Sequence, residues 1–182
     1  PSRQAAILEG GEDPGAALAA MARGLEQAGA DFLVMPCNTA HAFTQAIAAA
    51  VSIPLVSIID VTVDACREHD AVGLLATAGC LQAGLYQQAL DAAGIAVVIP
   101  DEAGVAEVLH LVMEIKGGNR GPEITARMRS VAESLVGRGA TALVAACTEI
   151  PLVLNETMIP VPLVSSTDVL AAETAKICVG VP

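Results

Sequence analysis

Two short polar steps interrupt long apolar stretches of this chain, Cys37-Asn38-Thr39 and Cys147-Thr148-Glu149. Each follows a run that reads as a buried strand and precedes residues suited to opening a helix. A thiol at such a junction lies at the carboxyl edge of a parallel sheet, where backbone N–H groups and the helix dipole stabilise anions. The same donors lower a thiol pKa and cradle a carboxylate. One turn of this type makes a reactive thiol. Two facing turns can work on both faces of one carbon, one thiolate taking an α-proton while the opposite thiol delivers another. Asn38, Thr39 and Thr148 add hydrogen-bond donors for a carboxylate that gains enolate character as the proton leaves.

The elements that must position these turns come as an internal repeat. GADFLVMPCNT (Gly29 to Thr39) aligns with GATALVAACTE (Gly139 to Glu149) at an offset of 110 residues, which sets Cys37 opposite Cys147. PLVSIIDV (Pro54 to Val61) aligns with PLVSSTDV (Pro162 to Val169) at an offset of 108. Around these matches, helical patterns alternate with short apolar runs. The pattern predicts helices over 14–28, 39–49, 82–92, 102–115 and 122–136, and further helices from Asp60 and from Asp168 to Ile177. Strands are predicted at 31–35, 54–57, 71–76, 95–99 and 141–146 and around Leu163-Val164. Such alternation with short connections implies an α/β chain of mainly parallel sheets flanked by helices. The repeat implies two pseudo-symmetric lobes, 1–68 with 161–182 and 69–160, with the active site in the cleft between them. The first clear helix opens at Asp13-Pro14 and the chain starts Pro1-Ser2-Arg3 without Met, so it reads as N-terminally incomplete.

Composition bounds the alternatives. A formal charge of −11 with only nine Lys and Arg argues against nucleic acid and anionic membrane surfaces. No apolar run reaches the roughly 18 residues of a membrane span and no basic leader opens the chain, which reads as cytoplasmic. The hydrophobic fraction is 54% but aromatics are 2%, as suits buried parallel strands under Ala-rich helices. Five cysteines without CxxC spacing read as reduced thiols. Cys66, Cys80 and Cys178 read as small hydrophobes. Cys37 and His41 have the spacing of a zinc pair, but Pro151 stands where His41 would recur, so no metal is expected.

At this point the motifs resemble a known family. MPCNTAH (Met35 to His41) and ACTEIPLVL (Ala146 to Leu154) are similar to the two cysteine motifs of the aspartate/glutamate racemases, which work without pyridoxal phosphate. LEGGEDP, GLLATAG at Gly73 to Gly79 and IKGGN at Ile115 to Asn119 extend the likeness through nearly the whole chain, closest to the aspartate racemases. The resemblance implies a homodimer of two-lobed subunits, no cofactor, and an amino-acid substrate held between the cysteines. It makes Cys37 and Cys147 the two bases and sets Asn38, Thr39, Thr77 and Thr148 around the α-carboxylate and amine. Arg3, and with a similar role Lys116, would face the substrate's distal carboxylate. Glu149 would orient a partner of Cys147 or help position the ammonium group. The chain departs from the aspartate racemases at Ser2, where they have Asp, and at Cys80, where relatives have Thr. The family also begins with a strand and a Gly-rich loop that would precede Pro1.

The expected reaction is racemisation of an acidic amino acid, aspartate first, glutamate or a broader range next. Hydantoin racemases, maleate isomerases and decarboxylases share the scaffold and are the alternative chemistry. Racemisation calls for two thiols, whereas a decarboxylase needs a single proton donor. A ligand-binding or inactive fragment is the remaining alternative, marked by binding without turnover.

Overall fold

Two glycines carry helices into strands in the same way. Helix α2 (Gly15–Gln27) is followed by Gly29 at φ 92° and helix α8 (Pro122–Gly137) by Gly139 at φ 101°, a left-handed conformation that side chains resist. Behind them the amides of Ala30 and Ala140 donate to the carbonyls of Leu25 and Leu135, each at 3.1 Å, which closes both helix ends. Strands β1 (Leu33–Val34) and β5 (Ala142–Ala145) follow. Leu33 and Val34 pair in parallel with Leu55 and Val56 of β2 (Leu55–Val56), as Leu143 and Val144 pair with Leu163 and Val164 of β6 (Leu163–Ser165). Ser57 then caps α4 (Ile58–Ala65), accepting from the Asp60 amide at 3.2 Å. Ser165 caps α9 (Ser166–Val179) through the Asp168 amide at 3.3 Å. The repeat in the sequence is thus a repeat in space, down to strand register and helix caps.

The computed structural model describes residues 1–180 as an α/β chain with two parallel sheets. β1 and β2 form the smaller one. The larger runs β4-β3-β5-β6, with β3 at Ala71–Leu75 and β4 at Ala96–Val98. Helices cover both faces of the larger sheet, so its strands alternate between two apolar cores. Leu75, Leu143 and Ala145 share one core with Leu111 and Ile115 of α7 (Glu102–Lys116) and Met128 and Leu135 of α8. Val72, Leu74 and Val144 share the other with Ile58 and Val63 of α4, Tyr86 and Leu90 of α6 (Leu85–Ala92) and Leu170 of α9. Gly73 lets α8 sit close to β3, since a β-carbon there would lie 3.1 Å from Leu135 Cβ of α8 and 2.5 Å from the Leu143 side chain of β5.

Four features differ from the sequence reading. A short helix α1 (Arg3–Leu8) precedes the first expected one, with Ser2 Oγ accepting from the Ala5 amide at 3.2 Å. The helix expected at 39–49 begins as a 3-10 turn, Thr39–Phe43, before α3 (Thr44–Ala48). The His41 ring draws that turn back onto the Cys37 carbonyl, which tightens it. The helix expected at 82–92 is α5 (Ala78–Ala83) followed by α6, broken at Gly84 with φ 69°. Finally, the sequence reading put 161–182 with the first lobe, but β6 is hydrogen-bonded to β5 within the larger sheet. Residues 163–165 therefore belong with the second cysteine's strand, and α9 packs back on α4. Among the described residues no helix is long and apolar enough to cross a membrane.

Candidate active site

The carboxyl ends of β1, β3 and β5 open into a cleft of about 720 Å³. It brings together all nine residues named from the sequence: Arg3, Cys37, Asn38, Thr39, Thr77, Lys116, Cys147, Thr148 and Glu149. Both cysteines are half-buried, a position from which a thiol reaches a ligand while staying shielded from bulk water. Cys66 and Cys80 are buried in the core beneath α4 and α5, where burial pushes their thiols up to about 11 and about 12.

The Cys147 turn is built around a carboxylate. Cys147 Sγ donates to Glu149 Oε2 at 2.9 Å, and Thr148 Oγ1 donates to the same oxygen at 2.9 Å. Lys116 Nζ lies 3.7 Å from the other carboxylate oxygen. Burial pushes the Cys147 thiol far above its ordinary range, and the Glu149 charge adds to the rise, with Lys116 opposing weakly. Burial also works against a charged Glu149, but the bonds from Cys147 and Thr148 and the Lys116 charge outweigh it and hold that carboxyl below its usual range. The resting pair is therefore a protonated thiol donating to an ionised carboxylate.

No carboxylate stands at the equivalent place beside Cys37, where the repeat has Thr39. His41 braces this turn instead. Its Nε2 receives the Ile58 amide at 3.2 Å and must be an acceptor, so the neutral ring carries its proton on Nδ1 and donates it to the Cys37 carbonyl at 2.9 Å. Burial lowers the His41 pKa, which keeps that tautomer neutral. Both ring nitrogens are thereby spent, and a metal shared by Cys37 and His41 would have to displace one of these bonds.

Asn38 is 3% exposed and its amide orientation is set by two partners. Tyr86 OH donates to Oδ1 at 2.6 Å, and Nδ2 donates to Ser166 Oγ at 3.1 Å. One of its two N–H groups remains unspent for the cleft. The Thr39 and Thr77 hydroxyls meet at 3.5 Å where the first turn faces the start of α5. Arg3 sits exposed at the rim on α1, which Gln4 anchors by accepting from the Gly79 amide at 2.6 Å. A β-carbon on Gly79 would meet that Gln4 oxygen, so a larger residue there would shift the Gln4 side chain and disturb the anchor.

Sequence reasoning passed over Tyr86 and Ser166, and weighed His41 only as half of a zinc pair or a packing residue. Their signals were present: Tyr86 is the single Tyr of a chain almost without aromatics, and Ser166 replaces the Ile58 of the other repeat at an otherwise apolar position. A buried polar tip in such a place calls for a partner.

With this geometry in view, comparison with known proteins agrees. The family of Asp/Glu/hydantoin racemases matches the chain over residues 2–174. The broad specificity amino-acid racemase RacX of Bacillus subtilis is 31% identical over 154 residues, 84% of this chain and 66% of RacX. The aspartate racemase of Picrophilus torridus superposes with a TM-score of 0.81 at 27% identity, covering 97% of this chain and 74% of that one. The glutamate racemase of Francisella tularensis, solved with D-glutamate, shares the fold at a TM-score of 0.74 and 18% identity, over 96% of this chain and 67% of that one. The chain thus spans just under two thirds of RacX, and it belongs to the Asp/Glu/hydantoin racemase family.

Proposed function

We propose that this protein inverts an acidic amino acid, aspartate first, at its α-carbon without a cofactor, using Cys37 and Cys147 as the two bases. The observation that carries the reading is the pair of half-buried thiols on repeat-equivalent strand ends, lining one cleft, with a carboxylate bonded to only one of them. Asn38, Thr39, Thr77 and Thr148 hold the α-carboxylate, and their donors stabilise the charge that grows on it as the proton departs. In one direction the Cys37 thiolate removes the α-proton and the Cys147 thiol protonates the opposite face. The product is the mirror-image amino acid, with Cys37 now a thiol and Cys147 a thiolate. The reverse reaction starts from that state; for another turnover in the same direction Cys37 releases its proton to water and Cys147 takes one up, so protons balance over a cycle. Glu149 keeps Cys147 supplied as an acid, since a thiolate beside its charge is disfavoured. Arg3 faces the distal carboxylate from the rim. By the family resemblance the enzyme works as a homodimer in the cytoplasm; sedimentation checks the dimer.

A broader amino-acid range is the second reading, and the charges of the cleft favour it. Arg3 and Lys116 are balanced by Glu9 and Glu149 among the lining residues, so the cleft as a whole does not demand an anionic side chain. RacX, the relative described above, is itself named for broad specificity.

The test is α-proton exchange in deuterated buffer, followed by NMR, with both enantiomers of aspartate, glutamate and several neutral amino acids. Exchange with inversion of aspartate supports the first reading, and similar rates with neutral amino acids support the second. No exchange with any of them sinks both.

A further inference from the structure

The two cysteine turns are joined behind the cleft by one directional chain of buried hydrogen bonds. It starts at Tyr86 on α6, whose hydroxyl donates to Asn38 Oδ1 at 2.6 Å. Asn38 Nδ2 passes the direction on to Ser166 Oγ at 3.1 Å, and Ser166 Oγ donates in turn to the Ala145 carbonyl at 2.9 Å. Asn38 directly follows Cys37, while Ala145 ends β5 two residues before Cys147. The three side chains are 1%, 3% and 0% exposed, so water offers them no alternative partners.

We infer that Tyr86 and Ser166 are positioning residues of the reaction, holding the Cys37 turn in fixed register with the Cys147 strand through Asn38. The inference rests on the two-thiol reading above, because two-face proton transfer requires both sulfurs to be placed against one carbon. The chain has a single polarity. Burial pushes the Tyr86 hydroxyl far above its ordinary pKa, so it is a donor across the working range. An amide that must accept from Tyr86 and donate to Ser166 cannot flip without leaving two buried groups unpaired. Ser166 has only one hydroxyl proton, and accepting from Asn38 commits that proton to Ala145. Removing the Tyr86 oxygen frees the amide to rotate and loosens the turn beside Cys37, although the ring still fills the core.

The repeat sharpens the point. Ile58 occupies the position equivalent to Ser166, and its contribution to the turn is a backbone amide given to His41. The first bond stays on the Cys37 side of the molecule. The Ser166 bond crosses from the Cys37 turn to the Cys147 strand, so it alone of the two can set the distance between the bases.

The experiment compares wild type, Tyr86→Phe and Ser166→Ala, with Val131→Ala in the other core as a control for lost stability. Two quantities are read for aspartate in deuterated buffer: inversion, and deuterium wash-in at the α-carbon with configuration retained. Wash-in needs one well-placed thiol, whereas inversion needs both in register. Tyr86→Phe is expected to lower inversion by roughly tenfold while wash-in falls much less, and Val131→Ala is expected to keep the wild-type ratio. An unchanged ratio in a folded Tyr86→Phe protein overturns the inference.

Alkylation by iodoacetamide, followed thiol by thiol by mass spectrometry, decides the same question without turnover. Rates at both Cys37 and Cys147 are expected to change by about threefold or more in Tyr86→Phe and in Ser166→Ala, with exposed Cys178 unchanged. A change confined to Cys37, or none, overturns the inference. Should Tyr86→Phe not fold, Ser166→Ala cuts the same chain at its last link and carries both readouts. A wild-type protein that exchanges no amino acid overturns the racemase reading alone, and the alkylation rates still decide the relay.

Discussion

The turns at Cys37 and Cys147 occupy equivalent places in a repeated fold, yet they are electrostatically unlike. At Cys147 the third residue of the turn is Glu149, which accepts from the thiol at 2.9 Å and, after burial, adds to what keeps it protonated. At Cys37 the third residue is Thr39 and the turn is braced from below by a neutral histidine and a buried amide. The backbone slot therefore supplies what both thiols need, a strand end with nearby donors, and a few side chains divide the labour between them. In the mechanism proposed above, inversion is symmetric in its chemistry, but the two faces of the substrate would be met by differently prepared groups.

The largest effect expected from breaking this pair is at the sulfurs. Cys37→Ser and Cys147→Ser should each lower inversion of aspartate by roughly 10²- to 10⁴-fold, since a hydroxyl is a far poorer base and acid at neutral pH. Deuterium wash-in separates the two variants. Each should retain wash-in only from the enantiomer whose α-proton faces the surviving thiol, so the two variants exchange opposite enantiomers. Equal wash-in of both enantiomers by either variant would contradict the assignment of one face to each thiol.

Glu149→Gln removes the asymmetry while keeping the shape of the turn. Burial is the main reason the Cys147 thiol lies high, and it remains. The added push from the Glu149 charge disappears, so the Cys147 pKa should fall and its alkylation by iodoacetamide should begin at lower pH. Inversion should drop by roughly tenfold, with its alkaline limb moved to lower pH, because the acid form of Cys147 is lost sooner. Alkylation of Cys147 at an unchanged pH would mean that Glu149 does not govern the thiol.

The brace under Cys37 is expected to act on stability more than on rate. His41 is buried and bonded at both nitrogens, so His41→Gln should cost about 1–3 kcal/mol by leaving buried groups unpaired. Its titration adds a pH signature. Burial lowers the folded pKa below the ordinary value of 6.5, with the Cys37 carbonyl and Asp60 opposing. The unfolded chain then takes up a proton that the folded ring resists, so this contribution is intact above 6.5 and is lost as pH falls below it. Thermal melting of the wild type should decline below that pH, and His41→Gln should flatten the decline. An identical pH slope in the variant would place the acid sensitivity elsewhere.

Much of this contrast was legible in the residues. The repeat located both thiols and predicted equivalent strand-end turns, because strand register and glycine-ended helices repeat with the sequence that encodes them. The cleft residues followed from the motifs. What escaped the sequence was set by contacts between distant elements. Nothing near His41 announces that the Ile58 amide will meet its ring, and the Tyr86–Asn38–Ser166 chain joins residues from three separate elements. The pairing of β6 with β5 escaped for a related reason: local pattern marks a strand, but its neighbour is decided by the packing of the whole sheet. Helix α1 has no fully buried residue and rests on α5 through part-buried side chains and the Gln4 anchor, so no apolar periodicity betrayed it.

The smallest expected effect concerns Lys116, and it decides which of two jobs that cation performs. The resemblance gives it the substrate's distal carboxylate, whereas the structure puts its ammonium 3.7 Å from Glu149 with the side chain 49% exposed. At that distance and exposure an ion pair is weak, and its main consequence is to ease the ionisation of Glu149. Lys116→Met should then slow aspartate and a neutral amino acid alike, by about threefold, because both depend on the same Cys147–Glu149 pair. A loss confined to aspartate and glutamate would instead show that the lysine leaves Glu149 when an acidic substrate enters. In that case the cleft acquires its preference for anions only on binding, and the balance of charge in the empty site would be a poor guide to its substrates.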